Sequence, residues 1–126
     1  PQDPYQITEE TKTMVLQNIC FMLNSFLRCS AYENVIFCWV MHEQFIIDTI
    51  VKELNTKTCR VVKISLTVDE SNLKSRLSSD VESGVRKADV IDRSIARIGM
   101  FQMLDTVKVD TNDKTVREVV DEIMVL

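Results

Sequence analysis

The stretch Leu73–Phe101 reads LKSRLSSDVESGVRKADVIDRSIARIGMF and holds four of the chain's seven arginines: Arg76, Arg86, Arg93 and Arg97. Leu73, Leu77 and Val81 recur at helical spacing behind Asp69, a good capping residue, and Gly84 stands where a helix ends. Val90, Ile91, Ile95, Ile98 and Phe101 then form the apolar face of a second helix, expected over residues 88–104. Arg93 and Arg97 lie four apart and share a face of that helix, with Arg86 just ahead of its start. Guanidinium groups stay charged and give paired hydrogen bonds to phosphate oxygens, so this surface suits a ligand with several negative charges, such as a polyphosphate. The same spacing also fits an ordinary helical ion pair, Asp89 with Arg93, beside solvated arginines.

Strands flank this helical pair. Cys59–Val68, with Val61, Val62, Ile64 and Leu66, reads as the strand before it, and Thr106–Asp110 as a short strand after it. Further upstream, Val35–Met41 (VIFCWVM) is an unbroken apolar run with β-branched and aromatic residues, the pattern of an interior strand of a parallel sheet. His42, Glu43 and Trp39 would then sit at the carboxyl end of that strand, where open α/β sheets bind ligands, and form a possible substrate pocket. The plainer alternative is that His42 and Glu43 only open the next helix.

Three more helices complete the chain. Thr8 caps the first, whose apolar residues run from Val15 to Leu27; Phe45, Ile46, Ile50, Val51 and Leu54 mark the second. After a turn at 111–113, Thr115-x-x-Glu118 forms a capping box for the last, with Val116, Val119, Val120 and Ile123 inward. The expected order is αβαβααβα, an α/β fold with a parallel sheet flanked by helices. A chain of 126 residues reads as one domain, 1–126.

The net charge of −4 argues against a nucleic-acid polymer as partner, because a general binder carries a basic excess. Four cysteines without C-x-x-C pairing, and His42 as the only histidine, give no metal site and read as reduced thiols of a cytoplasmic protein. Cys20 is expected in an amphipathic helix and Cys38 inside a buried strand. No run is long enough for a membrane span, so no membrane partner is expected. Pro1-Gln-Asp-Pro4 carries no initiator methionine, which implies processing or a longer parent chain. With only Gly84 and Gly99, no glycine-rich phosphate loop is present.

The segment Val61–Phe101 resembles the C-terminal half of the P-loop small-molecule and nucleotide kinases, the adenylate-kinase-like family and its bacterial AAA-domain relatives. The resemblance rests on Leu73-Lys-Ser-Arg76, an L-x-x-R at the start of a helix after a strand. It rests also on Arg86, an aspartate three residues on at Asp89, an arginine eleven residues on at Arg97, and an aromatic four further at Phe101. It implies a partial P-loop NTPase-type sheet, with the first strand, the phosphate loop and the first helix lying ahead of this portion. It assigns Arg86 and Arg97 to the transferred phosphates as catalytic groups, with Asp89 orienting an arginine. Arg76 is placed against the nucleotide base; Arg93 has no counterpart in adenylate kinases, and counts as a nucleotide- or phosphate-binding residue from its spacing with Arg97 and Arg86. Residues Phe21 to Phe26 are assigned to the acceptor pocket, the plainer alternative being that this Met and Phe stripe at helical spacing is core. ATP and Mg2+ are implied, with the Mg2+ ligands outside this chain.

The expected function is therefore ATP-dependent phosphotransfer to a small molecule or nucleotide, with this portion alone inactive. Two alternatives stay open: a nucleotide- or phosphate-binding domain of the same fold without catalysis, and a structural α/β module whose open sheet edge pairs with a second chain or with a copy of itself as a homodimer.

Overall fold

The computed structural model describes residues 6–126; the Pro1-Gln-Asp-Pro4 start lies outside them. Five helices and two strands follow in the order α1 (Glu9–Arg28), α2 (Gln44–Glu53), β1 (Ile64–Thr67), α3 (Glu70–Glu82), α4 (Val90–Gln102), β2 (Val107–Asp110) and α5 (Val116–Met124). The fold is mixed α/β, and its sheet among the described residues is a single parallel pair, with Ile64 opposite Val107 and Thr67 opposite Asp110. The chain divides into two compact units, residues 6–41 with Phe45–Val61, and His42–Gln44 with Val62–Leu126.

In the first unit, α1 begins where the sequence places its cap. The Thr8 hydroxyl accepts from Thr11 N at 3.1 Å, while Thr8 N donates to Thr11 Oγ1 at 2.8 Å, so two otherwise unpaired donors are satisfied. Cys20 and Leu23 of α1 meet Ile50 of α2 in a small core, around which Leu16, Ile19, Phe37, Met41, Ile46 and Leu54 are half-buried. Asn24 ties the two helices together: Nδ2 donates to Glu53 O at 3.0 Å and Oδ1 accepts from Asn55 N at 2.9 Å, which caps the end of α2.

The strand expected at Val35–Met41 is not formed. The run is non-repetitive chain, Ile36 is 91% exposed, and Cys38 lies at the surface rather than inside. Its apolar character has another cause. Phe37 and Met41 alone turn onto the Cys20–Leu23–Ile50 core, while the rest of the run is exposed and its backbone has no neighbouring strand. The order is thus ααβααβα, and residues 35–41 supply no strand end for Trp39, His42 and Glu43 to occupy.

In the second unit the helical pair follows β1 as the sequence predicts. Asp69 caps α3 by accepting from Asn72 N at 2.7 Å. The chain leaves α3 through Ser83 and Gly84, whose φ of +78° is a conformation glycine adopts without strain. Helix α4 packs on α3 and β1, and α5 packs on β2. Leu77, Leu104, Val109 and Val119 are the buried apolar residues of this unit, and Ser65 is buried with its hydroxyl 2.6 Å from Thr106 Oγ1. Thr115 Oγ1 accepts from Glu118 N at 3.2 Å, so the expected cap of α5 is present, but Val116 is 82% exposed rather than inward. Val120 is also exposed; a helix lying on one strand covers only the stripe through Val119.

The four cysteines form no disulfide. No helix among the described residues is long and apolar enough to cross a membrane.

Candidate functional site

The carboxyl end of the parallel pair is a dense polar corner. Both strands stop there together, and the residues that follow, Asp69 after β1 and Thr111-Asn112 after β2, are short polar side chains that bond readily to nearby backbone. Thr111 N donates to Thr67 O at 2.9 Å, and the Thr111 hydroxyl donates to the same oxygen at 2.8 Å. Asn112 Oδ1 accepts from Asp69 N and from Asn72 Nδ2, each at 3.0 Å, while Asn112 N and Nδ2 reach Asp110 Oδ1 at 2.9 and 2.8 Å. Asp113 closes the turn at a φ of 53°.

Arg76 projects from α3 onto this corner. Its Nη1 donates to Thr111 Oγ1 at 3.0 Å and its Nη2 to Thr111 O at 2.7 Å, so the guanidinium is fixed by two bonds to one residue and remains exposed. The other arginines sit on the α3–α4 side. Arg86 Nε donates to Asp80 Oδ2 at 3.0 Å across the turn, and Arg93 Nη1 lies 4.0 Å from Asp89 Oδ2 one helical turn back. The Asp89–Arg93 pair is the helical ion pair that the spacing allows. Arg97 is half-buried on α4 and has no ion pair or hydrogen bond among the described residues.

Each of Arg76, Arg86 and Arg93 is therefore held by a different partner, Thr111, Asp80 or Asp89. Both pairs on the helices are exposed, and pairs of this kind are worth under about 1 kcal/mol, so an incoming phosphate can take either arginine from its carboxylate.

The remaining residues singled out by sequence lie apart from this corner in the chain. Trp39 is exposed, its ring tilted against Phe37 at 6.5 Å between centroids. His42 Nε2 lies 3.3 Å from Glu43 Oε1, and its Nδ1 is buried without a hydrogen-bond partner. Met22, Leu23 and Phe26, from the segment assigned to the acceptor, line an open groove of about 270 Å3 with Tyr32, Val35 and Phe37, whereas Phe21 points to solvent.

The polar corner was missed by sequence reasoning, which took Asp69 as a helix cap and 111–113 as a turn. The signal was there: the rule that ligands bind beyond the carboxyl ends of parallel strands applies to both strands, and both are followed by Asp, Asn or Thr.

Among the described residues no group of His, Cys, Asp and Glu side chains is placed to hold a metal ion. No family model, no curated protein and no solved structure matches this chain.

Proposed function

We propose that this chain is the C-terminal part of an ATP-dependent phosphotransferase of the P-loop small-molecule or nucleotide kinase type. In this reading a single domain is completed by a phosphate loop from a segment outside these 126 residues. The observation that carries the reading is Arg76, fixed across the carboxyl end of an adjacent parallel strand pair, the position where open α/β sheets take their ligands. The L-x-x-R and the Arg86–Asp89–Arg97 spacing point the same way.

In this reading ATP lies with its base toward Arg76 and its phosphates toward Arg86 and Arg97. An acceptor oxygen attacks the terminal phosphorus, the bond to the bridging oxygen breaks, and ADP leaves. The arginines contribute charge rather than covalent chemistry: their N–H groups donate to the phosphoryl oxygens as negative charge shifts toward the leaving group. Asp89 orients Arg93, and Asp80 holds Arg86 until a phosphate replaces it. Cytoplasmic location and the identity of the acceptor belong to the same proposal.

The test is phosphate transfer from ATP by the full-length protein across nucleosides, nucleoside monophosphates and small alcohols. Transfer to one class is expected, and Arg97→Ala should lower turnover by about a hundredfold, the usual loss for one transition-state donor, with little change in melting temperature. Absence of transfer, or an Arg97→Ala variant as active as its parent, would overturn the reading.

A second reading has its own support. Ile36, Phe21 and Phe45 are each well exposed, more apolar surface than one small unit normally leaves open, which favours a non-catalytic domain that associates with another chain or a second copy. Sedimentation of a stable dimer with no nucleotide affinity would favour it.

A further inference from the structure

We infer that Thr111 is a positioning residue for nucleotide binding, a latch that holds the Arg76 guanidinium flat as a platform for the base of ATP. The inference rests on the proposed phosphotransferase reading and deepens it at one residue.

Thr111 is bonded on both sides. Its N–H and its hydroxyl both donate to Thr67 O at the end of β1, at 2.9 and 2.8 Å, so the residue is tied to the neighbouring strand. Its hydroxyl oxygen and its carbonyl then accept the two Nη groups of Arg76, at 3.0 and 2.7 Å. The donors of a guanidinium lie in its plane, so these bonds use the edge and leave both faces unused by them. Arg76 is exposed, and no aromatic ring among the described residues stacks on it.

An arginine side chain free in water loses rotamer freedom when it stacks on a ligand, a cost of roughly 0.5–1.5 kcal/mol for a side chain of this kind. The latch removes most of that cost beforehand. A flat, fixed, cationic face favours a planar aromatic ring and contributes nothing to inorganic phosphates bound elsewhere. The hydroxyl is the replaceable half of the latch, because the carbonyl half remains in any variant.

The experiment measures binding of ATP and of inorganic tripolyphosphate to the full-length protein and to Thr111→Val, Thr111→Ser, Arg76→Ala and the Thr111→Val/Arg76→Ala double variant. Thr111→Val should weaken ATP by about threefold, roughly half of the ordering cost that the latch removes, and leave tripolyphosphate unchanged. Thr111→Ser should restore ATP affinity. In the double variant the loss should equal that of Arg76→Ala alone, since the latch has nothing left to hold.

Equal weakening of ATP and tripolyphosphate by Thr111→Val, or a double variant whose losses add, would overturn the inference and leave the phosphotransferase reading standing. A wild-type protein that binds tripolyphosphate but not ATP would overturn both the inference and the phosphotransferase reading. Failure of the wild-type protein to bind either would overturn both.

Discussion

Ile50 and Ile36 are the same residue type in the same unit, yet their environments predict opposite outcomes on truncation to alanine. Ile50 is 4% exposed and closes the core with Cys20 and Leu23. Ile-to-Ala changes in cores cost about 2–5 kcal/mol, and the cost falls where neighbours can collapse into the space. The six residues around this core are only half-buried, so their side chains can shift, and the expected cost is about 2–3 kcal/mol. With a urea slope of about 1.5 kcal/mol/M, the unfolding midpoint should drop by roughly 1.5–2 M. Ile36 is 91% exposed, and its truncation should change stability by less than about 0.5 kcal/mol. Trp39 is the only tryptophan and lies in this unit, so its fluorescence during urea titration reads both variants. Equal penalties at the two positions would refute the reasoning, because they would mean that residues 35–41 are buried as a strand.

Two other measurements check local features. Gly84→Ala places a side chain at a φ of +78° where it meets no atom within 4 Å, so its cost is conformational alone. That cost is about 1 kcal/mol, a fall of about 4 °C in melting temperature, and an unchanged melting temperature would contradict the turn. Burial, and then the nearby negative charge of Glu53, push the Cys20 thiol above its ordinary value, whereas Cys29, Cys38 and Cys59 are exposed. Iodoacetamide at mildly alkaline pH should label those three in the folded protein and Cys20 only after unfolding. The raised value also sets a sign: Cys20's contribution to stability is complete below the unfolded thiol pKa of about 8.5 and is lost as pH rises through the folded value.

What was legible in the sequence was local. The caps at Thr8, Asp69 and Thr115 each depend on a hydrogen bond to a residue three positions away, so residue type and spacing suffice to place them. The helical faces of α1 and α3 follow from apolar period in the same way. The run at 35–41 was misread because a strand exists only through a partner, and an apolar run that lends only Phe37 and Met41 to a helical core has the same composition as a buried strand. The parallel β1–β2 pair was anticipated from the alternation of strands and helices, since two strands separated by helices have a crossover that favours parallel pairing.

The arginines divide along the same line. The Asp89–Arg93 pair is four residues apart and visible in the sequence, whereas Arg76 meets Thr111 across 35 positions, and only the folded pair of strands brings them together. Nothing in the residue types distinguishes Arg76, bound to a threonine, from Arg86, bound to a carboxylate. That difference matters chemically. A carboxylate partner neutralises its arginine, while a threonine positions one and leaves its charge uncompensated.

The most direct test of the account is a titration of the full-length protein with ATP, followed by the amide and arginine side-chain resonances of each residue. The account predicts saturable shifts at Arg76, Thr111 and Asn112, at the carboxyl end of the strand pair, together with Arg86 and Arg97 on the α3–α4 side. Shifts confined to the apolar groove around Met22, Phe26 and Phe37, or no shifts at all, would contradict it.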